Sequence, residues 1–290
     1  MNRALTVLFS LTLLALPAAA LEITTETGAT WAGNLSRTSY EPTAMSATIY
    51  RAGLAVTGSR QLAPSLLMSA SADLGYEAVP KFDALNDWQA GLRLRLRYKY
   101  GLGPMVPMLD GVAGLSHHTI KEGGRSGWKL EGGLTLSKRL TETWRISAGA
   151  SWQQFDADHA AFDVHDRRLS LETDWDVSEH WRLSAGLGWL RGRLTANAVG
   201  SVYAIALSGG FGPTISAYYS SIPWETSNTF GPGWVAYLID CHAELWWMQL
   251  TYALDARNSF TARYEDAYVV NRVDVDYYSE FWSLGFSHRF

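Results

Sequence analysis

The 290-residue chain holds a single cysteine, Cys241. One thiol closes no disulfide framework and builds no cysteine-based zinc site. Next to an outer strand end, Cys241 reads as a small packing residue. Charge is sparse and nearly balanced, with 24 Lys+Arg against 28 Asp+Glu. That balance gives no basic footprint for a nucleic acid. Beyond the amino-terminal segment, no stretch approaches the roughly 18 uncharged apolar residues of a transmembrane helix. A mean hydropathy of −0.07 is also far below that of a helical membrane protein. Aromatics, in contrast, are plentiful: 13 Trp, 14 Tyr and 10 Phe exclude a disordered chain. An aromatic-rich chain of neutral hydropathy is the combination to explain.

The amino terminus reads as an export signal. Met1-Asn2-Arg3 is a short basic start, Ala4 to Leu16 is apolar, and Pro17 with Ala18-Ala19-Ala20 supplies small residues for cleavage. The apolar run is too short to span a membrane comfortably, and no cysteine follows to carry a lipid. Residues 1–20 are therefore expected to be removed near Ala20. Residues 21–290 then form one exported domain.

The rest alternates with period two, the mark of strands. From Asp87 to Tyr100, the even positions Trp88, Ala90, Leu92, Leu94, Leu96, Tyr98 and Tyr100 are apolar or aromatic. The odd positions include Gln89, Arg93, Arg95, Arg97 and Lys99. In a soluble sheet the apolar face would cover a core. In a membrane barrel it faces lipid, and the polar face lines the lumen.

Aromatic placement separates these readings. The segments Trp144 to Trp152 and Trp181 to Trp189 read WRISAGASW and WRLSAGLGW. In each, two Trp share a face, eight residues apart. At a rise of ~3.3 Å and a tilt near 40°, that separation climbs about 20 Å, close to the apolar band of an outer-membrane barrel. Trp88, Trp144, Trp152, Trp181, Trp189, Trp282 and Phe290 are the expected interface aromatics. A soluble two-sheet sandwich also alternates, but does not call for paired aromatic girdles.

The last segment puts Tyr278, Trp282, Leu284, Phe286 and Phe290 on one face and ends in Ser283-x-Gly285-x-x-His288-x-Phe290. It resembles the carboxy-terminal signal of the outer-membrane β-barrel superfamily, with His288 where an aromatic is usual. The resemblance implies an all-β, antiparallel up-and-down barrel, porin-like in size, recognised by the barrel-assembly machinery through Phe290. Candidate strands are 21–33, 44–58, 65–77, 87–100, 107–118, 127–138, 143–155, 165–177, 181–194, 198–209, 213–221, 241–254, 259–270 and 277–290. That makes about fourteen, or twelve if 195–240 is a long loop. Short turns at 61–64, 141–143, 177–180 and 255–258 alternate with longer connections at 34–43, 78–86, 119–126, 156–164 and 222–240, as periplasmic turns and outer loops do.

The inward face offers a basic ladder, Arg93, Arg95, Arg97 and Lys99, and an acidic one, Glu172, Asp174 and Asp176, with Arg168 above it. The two partly face one another across the ring. Opposed ladders in a water-filled pore tune solute selectivity. The alternative is a lumen zipped by salt bridges, since Arg145 and Arg182 flank the acidic strand. Gly91, Gly149, Ser151, Gly186 and Gly188 read as luminal room. Loop 222–240 either constricts the pore or lies over the rim.

A lipid hydrolase needs a nucleophile and base on one side of the wall. Ser116 points inward and its neighbour His117 outward, so that pair fails, and His117-His118 fails as a metal site for the same reason. No catalytic group and no cofactor or metal is expected. The reading is a porin-like channel for small polar or anionic solutes, surrounded by outer-membrane lipid and lipopolysaccharide. A non-transport barrel (adhesin, assembly or surface-export component) is the alternative, with a rim lipid hydrolase behind it.

Overall fold

The computed structural model describes residues 21–290, so the expected signal peptide lies outside it. The strands are β1 (Glu22–Ala32), β2 (Ala47–Ala63), β3 (Leu66–Ala78), β4 (Asp87–Lys99), β5 (Met108–Ile120), β6 (Gly127–Arg139) and β7 (Trp144–Ala157). They continue as β8 (Val164–Asp176), β9 (Trp181–Val199), β10 (Trp224–Ser227), β11 (Trp234–Ala253), β12 (Asn258–Asn271) and β13 (Asp276–Arg289). Each strand pairs antiparallel with its neighbours. β13 returns to β1, and β11 pairs directly with β9. Twelve strands thus close a ring, and short β10 lies beside the start of β11.

Twelve is the lower of the two counts the sequence allows. The strands expected over 198–209 and 213–221 are helices, α1 (Gly200–Leu207) and α2 (Pro213–Ser221). Their local chemistry accounts for this. Gly209, at φ +85°, follows the end of α1, where a left-handed glycine commonly stops a helix. Pro213 opens α2 at a position that needs no N–H donor. A short apolar run such as Val202–Leu207 cannot by periodicity alone be told from a strand.

Leu21, Phe290 and the short connections lie at one end of the barrel, the turn end. The long connections lie at the other, the loop end. Each of the first four long connections holds one 3₁₀ turn: Glu41–Thr43, Asp83–Leu85, Gly123–Arg125 and Ala160–Phe162. One turn-end connection, residues 100–107, is longer than an ordinary hairpin turn and uses Gly101 and Gly103 at positive φ.

The outer wall is apolar and exposed, with Leu94, Leu134, Leu169, Leu171, Leu187 and Leu284 among its large side chains. The conventional buried core is confined to the loop end. There β9 and β11 run past the ring and pair with each other as far as Val199 and Trp234. Tyr203 of α1 and Tyr218 and Tyr219 of α2 pack with Tyr237, Ile239, Cys241 and Val269 on the inward side of this extension. The Tyr203 ring stacks on Tyr237 at 5.1 Å. Two seams are sealed by hydroxyls: the Asp240 N–H donates to Tyr218 Oη at 2.9 Å, and the Asn271 amide donates to Tyr219 Oη at 3.2 Å.

Candidate functional site

The inner wall is the candidate site, because strand alternation places most of the charged barrel residues there, the ladders of β4 and β8 included. The basic ladder on β4 is met at once by carboxylates on the next two strands. Arg95 and Arg97 both reach Asp110 on β5, at 2.8 and 2.9 Å. Arg93 reaches further, to Glu131 on β6 at 2.8 Å. Arg93, Gly114 and Glu131 share one register row, so the bridge passes over a glycine. Lys99 has no ion-pair partner among the described residues.

The acidic ladder on β8 is likewise answered by neighbouring strands. Asp174 binds Arg145 of β7 at 2.8 Å and accepts from Ser184 Oγ of β9 at 2.7 Å. Asp176 binds Arg182 at 2.6 Å and lies 3.9 Å from Arg139. Glu172 has no ion pair among the described residues. The ladders therefore do not confront one another as bare charges across the lumen. Cross-strand neighbours stand about 5 Å apart, within easy side-chain reach, whereas facing strands do not.

The luminal glycines are seats, not open space. A Cβ at Gly186 would meet the Trp247 ring at 2.5 Å, and one at Gly91 would meet Asp73 at 2.8 Å. At Gly188 it would meet Arg168 at 3.0 Å, and at Gly149 Ser170 Oγ at 2.9 Å. A strand glycine commonly marks a close approach of this kind. Trp247 is itself held by the Arg263 guanidinium, 4.3 Å from its ring centre. Cavities remain inside the wall, two of them lined in part by charged side chains. One of about 570 Å³ is lined by Glu26, Arg51, Arg263 and Glu265, and one of about 500 Å³ by Arg51, Asp73, Arg93 and Glu131.

Adjacency excluded Ser116 with His117, and in the structure His117 does lie on the outer face against Trp128. It said nothing of His118, two residues from Ser116 and on the same face. Ser116 Oγ is 3.1 Å from His118 Nε2, and His118 Nδ1 is 2.7 Å from Asp87 Oδ2. The spacing is that of a serine–histidine–carboxylate relay. However, β5 is paired on both sides, so the backbone N–H groups beside Ser116 are taken by the ladder and none is free to hold an oxyanion.

The loop end is bridged. β9 and β11 occupy neighbouring places in the ring, and the β3–β4 loop lies six strands away, directly opposite. Phe230, between β10 and β11, nevertheless packs on Phe82 of that loop at 4.9 Å. Asn197 of β9 donates its N–H and side-chain amide to the Ser36 carbonyl in the β1–β2 loop, at 3.1 and 2.9 Å. Glu122 and Arg125, in the β5–β6 loop, form the central clasp. Glu122 accepts from Ser227 Oγ at 2.9 Å and from Thr229 Oγ1, and is ion-paired with Arg125. Arg125 also donates to Asn197 and Thr229 and lies 4.0 Å over the Phe162 ring. Burial pushes the Glu122 carboxyl up, but the Thr229 hydrogen bond, Arg125 and the Ser227 hydrogen bond outweigh it and hold it below its ordinary value. Segment 222–240, left open between constriction and rim, thus spans the mouth.

The aromatic candidates all stand exposed on the outer wall. Trp88, Trp152, Trp189 and Trp282 lie toward the loop end, and Trp144, Trp181 and Phe290 toward the turn end. The two sets are separated by apolar side chains. The sequence reading missed the Glu122–Arg125 clasp, which carries no local motif. It also passed over Trp247, whose inward direction follows from its register with Gly186.

No family model and no curated protein matches the chain. Solved structures do. The COG4313 outer membrane channel from Pseudomonas putida F1 aligns with a TM-score of 0.58 and 11% identity over 95% of this chain and 97% of that one. The CymD monoaromatic hydrocarbon channel (TM-score 0.46, 10% identity, 93% and 88% covered) and the KdgM porin (0.42, 9%, 91% and 98%) are too distant to add to it. The likeness to the first shows the fold: the chain is built as a closed antiparallel β-barrel, similar in fold to that outer membrane channel.

Proposed function

We propose that the chain is an outer-membrane channel for small polar solutes, not an enzyme, with its loop end outside the cell. The observation that carries this reading is the division of the wall, with a largely apolar, aromatic-girdled exterior and a charged interior that keeps cavities open between its side chains. Structural likeness to outer-membrane channels supports it. The β4 wall favours anions. Arg95 and Arg97 share one carboxylate, and Lys99 has none, so this arc keeps excess positive charge where a solute passes. In the same reading, lipid and lipopolysaccharide surround the girdles, and Phe290 addresses the chain to the barrel-assembly machinery.

The bridged mouth is the element that sets access, and a permanently closed bridge would favour a non-transport barrel. Planar-bilayer recording of the pure refolded protein decides between them. Discrete conductance steps are expected; a silent, fully inserted barrel would overturn the channel reading.

A further inference from the structure

The outer wall is not uniformly suited to lipid. On β8 and β9 the ring of loop-end aromatics is capped by arginine. Arg191 follows Trp189 on the same outward face, and Arg167 is its direct cross-strand partner. On the other side Arg167 faces Trp152, and Arg191 faces His242. Arg167, Arg191 and His242 are exposed. Like charges directly opposite in a sheet repel. Neighbouring Arg193 has an answering carboxylate, Asp240, at 3.2 Å. Arg167 and Arg191 have no ion-pair partner among the described residues; of the two outward acids that flank their row on β11, Asp240 is taken by Arg193 and Glu244 sits in the register row of Trp189, below them.

Below the pair the wall is hollowed. Ala113 pairs with Gly132, and Leu134, Ala150, Leu169 and Trp189 follow one another in register, one step toward the membrane centre. Small residues beside Trp152 and Trp189 leave a groove of about 1510 Å³, which Arg167 and Arg191 also line. An apolar groove running down from a bare pair of guanidiniums has the complement of one ligand class: acyl chains under a phosphate.

We propose that Arg167 and Arg191 bind the phosphate of a phosphorylated outer-leaflet glycolipid, whose acyl chain lies over Ala150 and Leu169. Two planar guanidiniums fit phosphate oxygens well, and the anion relieves the repulsion between them. The inference rests on the placement of the loop end in the outer leaflet. On β11, β12 and β13 the matching positions are acids, Glu244, Asp266 and Glu280, next to Trp246, Tyr264 and Trp282. The rim thus attracts anionic headgroups on one arc and repels them on another.

The test is native mass spectrometry of the refolded barrel in detergent, with diphosphoryl lipid A, phosphatidylcholine and inorganic phosphate as separate probes. The wild type should hold lipid A in preference to phosphatidylcholine, and excess inorganic phosphate should not displace it. The R167Q/R191Q variant should bind lipid A about thirtyfold more weakly, from about 1 kcal/mol per arginine at a headgroup. R60Q, at the turn end, should bind as wild type does. Heat-modifiable migration and bilayer insertion show whether each variant folds, and R191Q alone serves if the double variant does not. Unchanged lipid A binding by an inserted R167Q/R191Q barrel, equal binding of phosphatidylcholine, or displacement by phosphate alone would overturn the site. Failure of the wild type to insert at all would instead overturn the membrane reading beneath it.

Discussion

Replacing Glu122 with alanine should open the bridge without loosening the barrel. The carboxylate is the one group that joins the β5–β6 loop to both Ser227 and Thr229 of the β10–β11 hairpin while pairing with Arg125. Its removal also strands Arg125, whose side chain is only 12% exposed. Breaking one partner of a buried pair costs about 3–5 kcal/mol. The lower figure applies here, because a fifth of the Glu122 side chain reaches solvent, at 21%. About 3 kcal/mol corresponds to a rise of roughly a hundredfold in the population of the unclasped mouth. Phe82 on Phe230 and Asn197 on Ser36 remain, so the hairpin stays folded for most of the time. Limited proteolysis reads this population when opening is fast relative to cleavage. Cleavage within residues 200–233 should accelerate by about that factor, and single-channel records should gain longer or larger openings. The heat-modifiable transition of the barrel should not move, since twelve paired strands do not depend on the clasp. An inserted E122A barrel with wild-type cleavage and wild-type gating would refute the reasoning.

Three further outcomes follow from the same geometry. The Glu122 carboxyl lies below its ordinary value when folded. Its contribution to the clasp is therefore complete above about pH 4 and is lost as pH falls below that, so proteolysis of 200–233 should rise only in the acid range. Gly186→Val places a side chain where Trp247 stands 2.5 Å from the Cβ position, and should cost about 1–3 kcal/mol of stability, read as a lower temperature of the heat-modifiable shift. Gly53→Val, whose Cβ has only the Leu74 carbonyl at 3.7 Å nearby, should be much milder, and equal effects would dismiss the seat. Lys99→Glu reverses a charge that has no partner to restore, so reversal potentials should move toward cations, and an unmoved potential would remove Lys99 from selection.

What could be read in the sequence was whatever touches two different media. From Asp87 to Lys99 one face meets lipid and the other the lumen, so the alternation survives and strand bounds follow within a few residues. The same holds for Trp144 to Trp152 and Trp181 to Trp189. It fails where both faces are covered. Thr195, Ala196, Asn197 and Ala198 on β9, and Trp234 to Ile239 on β11, are all buried. With no exposed face the contrast between the two sides weakens: on β11, Trp234 to Ile239 are apolar at every position, and on β9 only Thr195 and Asn197 break a run of small residues that leads into α1. The ladders were legible as directions but not as partners. Alternation says that Arg95 points inward, while only the register of β4 against β5 brings Asp110 to it. The glycines misled for the same reason: a missing side chain looks like space until the residue opposite is known.

Register also decides what the ladders can contribute to selection. An arginine bound to a carboxylate on the next strand is nearly silent at a distance, because the pair presents a dipole whose field falls quickly in salt. Arg145 with Asp174 and Arg182 with Asp176 are such pairs, and Arg93 reaches one strand further to Glu131, which Lys129 shares. Discrimination by charge then rests on groups outside the pairing. Lys99 stands at the turn end of β4, Glu172 farther from the turn end on β8, and Asp110 is shared by two arginines. With Glu26, Asp73 and Arg168, which also lack ion-pair partners among the described residues, these groups carry both signs and lie on different strands, so a channel of this kind would select weakly by charge along most of its length. Strong selection has to come from shape, and the mouth narrowed by the β9–β11 extension is where the chain supplies it. That assignment sets the two kinds of variant apart. Charge changes at Lys99 should alter which ions pass, whereas loosening Glu122 should alter how large a solute passes. Liposome-swelling rates across a graded series of neutral sugars measure the second effect alone. E122A should raise the size cut-off while K99E leaves it where it was, and a cut-off that moved with K99E instead would return control of the pore to the ladders.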